Sequence, residues 1–164
     1  MPVEGGRELH QLCLMMEQAA STLLADQVAD VMTRPAVTVM DAHCALCARG
    51  AAWIAHNDRA QEFLIVPMQS PLGQHLLTQN GLDPTDPTSW LLLEQGQAHT
   101  STEAIIRTGQ RLGGVWRLLG LMRIVPGPVR DACYRMVARN RYRWFGRGDM
   151  CTMPDPQVQR RLFR

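Results

Sequence analysis

The chain has 164 residues, 46% hydrophobic and 20% charged, which is one domain's worth of sequence with apolar side chains enough for a single core. This composition excludes a wholly disordered chain and a fibrous repeat, and no apolar run approaches the roughly 18 to 20 residues that span a bilayer. The formal net charge of +2 hides an asymmetry, since residues 1–106 hold 4 Arg against 12 acids and residues 107–164 hold 13 Arg against 3. Two such halves attract each other within one fold, and a basic surface for an outside partner is the second reading.

Residues 1–33 read as a helix, with Leu9, Leu12, Met16, Ala20, Leu23, Leu24, Val28 and Val31 recurring near helical spacing. Arg34-Pro35 ends it, because a residue before proline avoids the helical region. The expected organisation is therefore an N-terminal helical extension over 1–34 and a domain over 35–164. Ala36 to Met40 is a short β-branched run that suits a buried strand. Cys44 to Asn57 reads as a helix with Trp53 and Ile54 on its inner face, and Phe63 to Met68 as a second buried strand. Pro71 to Gln79 is a short helix stopped by Asn80-Gly81. After a loop over Asp83 to Ser89, Trp90 to Glu94 and Gln97 to Thr100 form a hairpin about Gln95-Gly96.

The remainder is helical. Ser101 to Leu112 opens with a capping signal, Ser101 or Thr102 followed by acid, and closes at Gly113-Gly114. Trp116 to Val125 is a second piece, stopped by Pro126-Gly127-Pro128. Val129 to Phe145 is a third, with Ala132, Cys133, Met136, Val137 and Asn140 near one face and arginines elsewhere. Gly146 to Arg164 shows little periodicity. Strand, helix, strand, helix, hairpin and helix is the order of an α/β fold with a thioredoxin-like core, here carrying an added N-terminal helix and a helical, Arg-rich C-terminal extension.

Five cysteines, Cys13, Cys44, Cys47, Cys133 and Cys151, stand at irregular spacing, unlike the paired framework of a small secreted domain. Glu4 and Glu8 occupy the region where a signal peptide wants positive charge, and Glu17-Gln18 cut the apolar run Leu12 to Met16. The expectation is a cytoplasmic protein whose thiols rest reduced. Cys44-Ala45-Leu46-Cys47 directly follows a strand and starts a helix, where unpaired N–H groups stabilise a thiolate. Cys44 is the expected nucleophile, nearer the exposed end. Cys47, one turn on and more buried, is the expected resolving thiol. A structural zinc site needs a second pair and none exists, so redox chemistry is favoured over metal binding and over inert buried thiols, with neither a metal nor an organic cofactor expected.

The segment resembles the DCC family of thiol-disulfide oxidoreductases, whose Asp-x-x-Cys-x-x-Cys motif corresponds to Asp41, Cys44 and Cys47. The resemblance extends over about residues 36 to 164. It takes in Gln69-Ser70-Pro71 with Gly73, Ser101 to Arg107, Leu112-Gly113-Gly114 with Trp116, Pro126, Arg130-Asp131, Tyr134, Ala138 to Tyr142, Phe145-Gly146, and Cys151 with Pro154. It implies a thioredoxin-like fold and disulfide exchange with protein or low-molecular-weight thiol substrates. The family usually has an aromatic before the Asp, Gly after it and often Pro within CxxC, where this chain has Met40, Ala42 and Ala45. Ala42 would be strained if the turn needed a positive φ.

Each further candidate has a plainer alternative. Asp41 could take a proton from Cys47 or orient a water, or simply cap the helix. His43 could favour the Cys44 thiolate, or be an exposed loop residue. Cys151 could be a third redox thiol or a small apolar side chain. Pro87 is the nearest candidate for the cis-proline that faces a thioredoxin-like CxxC; without it, the Thr88 or Ser89 backbone would hold the substrate. Cys13 and Cys133 read as packing residues, and His10, His56, His75 and His99 show no metal spacing. Arg and aromatic residues interleave over Arg130 to Arg147, but salt bridges and core rings explain the pattern better than nucleic acid does. An acidic partner or anionic lipid ranks between these readings. The functional reading is CxxC disulfide exchange, and its alternative is a non-catalytic interaction module using the basic C-terminal surface.

Overall fold

The computed structural model describes residues 4–85 and 90–163. In chain order it contains α1 (Glu4–Met32), β1 (Ala36–Met40), α2 (Ala45–Asn57), β2 (Phe63–Pro67), α3 (Pro71–Gln79), β3 (Leu91–Glu94) and β4 (Gln97–Thr100). There follow α4 (Ser101–Leu112), a 3-10 helix over Gly114–Ile124, α5 (Gly127–Phe145) and α6 (Pro156–Arg161).

The sheet order is β2-β1-β3-β4, with β1 parallel to β2 and antiparallel to β3, and β4 antiparallel to β3. This is a thioredoxin-like core with extra helices. β1 is central and wholly buried, so its alternate side chains feed two cores. Ala36 and Met40 face α2 residues Ala48, Ala51 and Ile54, whereas Val37 and Val39 face α3 residues Leu72, Leu76 and Leu77. Thr38, the one hydroxyl on the strand, accepts from Trp90 Nε1 at 2.6 Å. Gln95 and Gly96 both have positive φ, 50° and 76°, which is the type I′ geometry that a two-residue hairpin favours. At Gly73 a Cβ would lie 2.1 Å from the Pro67 carbonyl oxygen, so only glycine lets α3 close onto the end of β2.

Five expectations need correction. Ser101 sits at φ 54° and no side chain caps α4 at Thr100; the Thr102 hydroxyl instead donates to Asp131 Oδ1 of α5 at 2.8 Å. The segment after α4 winds as a 3-10 helix, following Gly113 and Gly114 at φ 76° and 56°. The apolar face expected on α5 points outward: Ala132, Cys133 and Met136 are exposed, and the helix buries Ala138 and Arg141. Among the described side chains of α1 only those of the last turns find cover, with Val31 buried, Leu24 and Val28 packed at the margin, and Leu12, Met16 and Leu23 exposed. The C-terminal segment is ordered into the core: Met150, Val158 and Leu162 are buried, and Phe163 N donates to Ile65 O at 2.8 Å.

The charge asymmetry resolves in part inside the fold. Arg107 and Arg111 reach Glu94, Arg111 also reaches Glu62, and Arg123 reaches Glu103. Two further pairs are buried, Arg141 with Asp41 and Arg161 with Asp58. Asp58 ends α2 and also accepts from the Glu62 and Phe63 amides at 3.1 Å, while Arg161 Nη2 donates to its carbonyl at 2.8 Å. One carboxylate thus fixes the entry to β2 and the position of α6. Arg161→Met should destabilise the protein by about 3–5 kcal/mol by stranding a buried charge, read as a lower urea midpoint.

Candidate active site

β1 ends at Met40, and the next residues turn the chain into α2. Asp41, 3% exposed, organises this turn: its Oδ1 accepts the His43 amide at 2.9 Å and the Gln69 amide Nε2 at 2.7 Å. Gln69 in turn accepts from the Ala42 amide at 3.1 Å. Oδ2 accepts from Arg141 Nη2 and from the Tyr142 hydroxyl, both on α5. Burial pushes the Asp41 carboxyl up, but the hydrogen bonds from Tyr142, His43, Gln69 and Arg141 outweigh it and hold the group below its ordinary value. Asp41 is therefore a buried carboxylate anchoring two α5 side chains, and does not cap α2. Ala42 has no positive φ, so replacing the family's glycine there strains nothing.

Cys44 is the N-cap of α2. Its φ and ψ are extended, and its sulfur accepts from the Cys47 amide at 3.4 Å. The thiol has its pKa lowered to about 6, first by a hydrogen bond from the Cys47 side chain, against the opposing effect of burial, and further by the Cys47 amide and the Arg141 charge. Cys47 moves the opposite way. Its proton is held by that same hydrogen bond, and burial and the neighbouring Cys44 charge raise its pKa further. The guanidinium of Arg141 acts on both sulfurs and is itself held charged by Tyr142, Cys47 and Asp41 against its burial.

The expected order of exposure is reversed. Cys44 is fully buried and Cys47 is half-buried. The cause is a strap formed by residues 146–150, which runs antiparallel to the motif. Ala45 N donates to Gly146 O at 3.3 Å, Gly148 N to His43 O at 3.1 Å, and Met150 N to Ala42 O at 2.8 Å. Gly148 lies so close to α2 that a Cβ there would be 3.0 Å from Ala45 Cα. Cys47 opens instead onto a cavity of about 660 Å³, whose wall includes Asp41, Trp53, Trp90, Val137 and Arg141.

The remaining candidates are dispersed. His43 exposes its ring and joins the site through its main chain, while Cys151 is exposed just beyond the strap. Cys133 is exposed at the cavity and does not pack in a core, and the side chain of Cys13 lies outside the described residues. Pro87, Thr88 and Ser89 also lie outside them. Among the described residues no cluster of His, Cys, Asp and Glu is placed to hold a metal ion. Sequence reasoning gave no role to Arg141, Tyr142, Gln69 or Gly148. The first three fall inside segments that carry the family resemblance, but nothing in their spacing ties them to Asp41, as many as 101 residues away.

Comparison with known proteins bears on the same segments. Residues 38–147 match the DCC1-like thiol-disulfide oxidoreductase family, a stretch that begins within β1 and ends on the strap. The chain belongs to this family. It is 39% identical over 127 residues to the uncharacterized protein YuxK of Bacillus subtilis, covering 77% of this chain and 92% of that one. It is 30% identical over 118 residues to a chloroplastic DCC family protein of Arabidopsis thaliana, covering 71% and 69% respectively. No solved structure matches.

The site sets a pH profile. Only the thiolate alkylates, so the Cys44 rate should climb as pH rises through about 6 and level off above it. Cys47→Ala removes the largest lowering contact and should move that midpoint up toward about 8.5. Gly148→Val, which forces the strap from Ala45, should raise the plateau rate severalfold with a smaller change in midpoint. Iodoacetamide labelling with mass spectrometry reads all three.

Proposed function

We propose that this DCC1-like protein is an enzyme that exchanges disulfides with protein or low-molecular-weight thiol substrates through Cys44 and Cys47. The observation that carries the reading is Cys44 at the N-cap of α2, its sulfur accepting the Cys47 amide one turn on. In the oxidising direction for the protein, the Cys44 thiolate attacks one sulfur of a substrate disulfide. A mixed disulfide forms and the other substrate sulfur leaves as a thiolate, which takes a proton. Cys47 then loses its proton and attacks the Cys44 sulfur, closing the 44–47 disulfide and releasing the second substrate thiol. Two electrons pass from the protein dithiol to the substrate, and the reverse sequence oxidises a substrate dithiol.

In this reading Arg141 stabilises the Cys44 thiolate, and later the thiolate that Cys47 must become. Asp41 positions Arg141 and shares the cavity wall with Cys47, so it can also receive the Cys47 proton through water. Its lowered pKa makes it a weak base, which favours the positioning role. His43 and Cys151 are auxiliary: the first presents a cation near the motif when protonated, and the second offers a further thiol at the end of the strap. The strap has to yield for a substrate sulfur to reach Cys44. Residues 35–164 form the exchanging domain, and residues 1–34, with α1, are an extension appended to it.

The burial of Cys44 favours a second reading, a non-catalytic module in which the CxxC is structural and the basic C-terminal surface binds a partner. Mutation separates the two. Cys44→Ser should abolish exchange with a dithiol substrate, and Cys47→Ser should trap a mixed disulfide on Cys44. Equilibration in graded glutathione buffers should reveal a reversible 44–47 disulfide, with a potential near about −270 mV marking a reductant and about −120 mV an oxidant. Failure of the two cysteines to pair at any poise would leave the binding module.

A further inference from the structure

The 3-10 helix over Gly114–Ile124 buries none of its residues. With three residues per turn, positions three apart stack in a straight line. Val115, Leu118, Leu121 and Ile124 form such a line, exposed by 65%, 60%, 60% and 80%. Scattered apolar side chains are ordinary on a protein surface, but an aligned row is not. A second apolar strip lies on α5, where Val129, Ala132, Cys133 and Met136 are all exposed at helical spacing. The two helices adjoin, because Met122, with Val125 just past the end of the 3-10 helix, lines the same cavity as Cys133 and Val137 of α5.

Positive charge surrounds these strips. Arg117, Arg135, Arg139 and Arg143 are exposed, and none has an acidic partner among the described residues. The only acid in α5, Asp131, is taken up by the Thr102 hydroxyl. A second copy of the chain seated face to face would bring these arginines against their own counterparts. Tyr142 and Trp144, expected among core rings, are exposed with Phe145, but they lie at the C-terminal end of α5, beyond both strips. Nucleic acid would call for rings at the strips themselves, and the aligned row is aliphatic. A bilayer satisfies both features at once, with an acyl boundary for the aliphatic side chains and headgroup phosphates for the guanidiniums.

We propose that the 3-10 helix and the outer face of α5 dock this protein on the surface of an anionic lipid bilayer. The four aliphatic side chains of the row enter the interface, and Arg117, Arg139 and Arg143 bind phosphate oxygens beside them. α1 also exposes apolar residues, but Glu17, Asp26 and Asp30 make it the wrong sign for such a surface. The inference does not depend on the thiol chemistry.

The test is flotation of the full chain with vesicles of phosphatidylcholine, alone or with about one third phosphatidylglycerol. The protein should float with the anionic vesicles only, and release as salt is raised to about 0.5 M. Leu118→Glu with Leu121→Glu changes exposed positions and should cut the bound fraction about tenfold or more, with an unchanged circular dichroism melt. Arg139→Glu with Arg143→Glu should act in the same direction. The proposal is overturned if the wild type ignores anionic vesicles, or if the leucine variant floats as well as the wild type. It is equally overturned if the wild type is a dimer in solution that the leucine variant disperses.

Discussion

The structure depends on one buried carboxylate. Asp41 stands where the central strand stops, and it holds charge in the interior only because four donors converge on it. Those donors come from three separate stretches of chain: the turn after β1, the turn before α3, and α5. A buried ion pair of this kind contributes little net stability, since desolvation offsets most of the attraction. What it contributes here is position. Arg141 cannot leave without stranding Asp41, so a guanidinium is kept beside the two sulfurs of the CxxC turn.

The paired cysteines owe their asymmetry to this arrangement and to the helix start. One hydrogen bond between the sulfurs acts in opposite directions on its two ends, favouring the anion on Cys44 and the proton on Cys47. The backbone amide of Cys47 and the fixed positive charge of Arg141 add to the first effect. Identical side chains three residues apart thereby acquire opposite acidity. The cavity beside Cys47 supplies the low-polarity surroundings that strengthen each of these contacts.

Most of the fold was legible because its strands are short, with apolar runs in β1, β2 and β3, and are bounded by strong turn residues. Gln95-Gly96 and Asn80-Gly81 punctuate the chain where the structure turns. The Cys44 to Cys47 junction was legible for the same reason: a buried strand ran directly into a helical pattern. The exposure of the two thiols was not, because it depends on residues 146–150 arriving from the far end of the chain. Arg141 was hidden by its own composition, one arginine among several on α5, distinguished only by a partner 100 positions away. The α5 face was misjudged in an instructive way. Helical periodicity locates an apolar side, but says nothing about whether the molecule itself covers it.

The strap over the motif has a further consequence. Its main-chain bonds occupy the carbonyls of Ala42 and His43 and the amide of Ala45, so a second extended chain could pair along this turn only by displacing the strap. Any chain that paired there would meet an intramolecular competitor already in place. Its apparent dissociation constant is the intrinsic one divided by the fraction of molecules whose strap is open, so a strap open about one part in a hundred weakens binding about a hundredfold. Such a site would discriminate by strength of pairing, passing over chance encounters and admitting only a chain that pairs better than Gly146 to Met150 do. Gly146 and Gly148 add no side-chain contacts of their own, so the main-chain bonds and the close approach of Gly148 to Ala45 are what such a competitor would have to better.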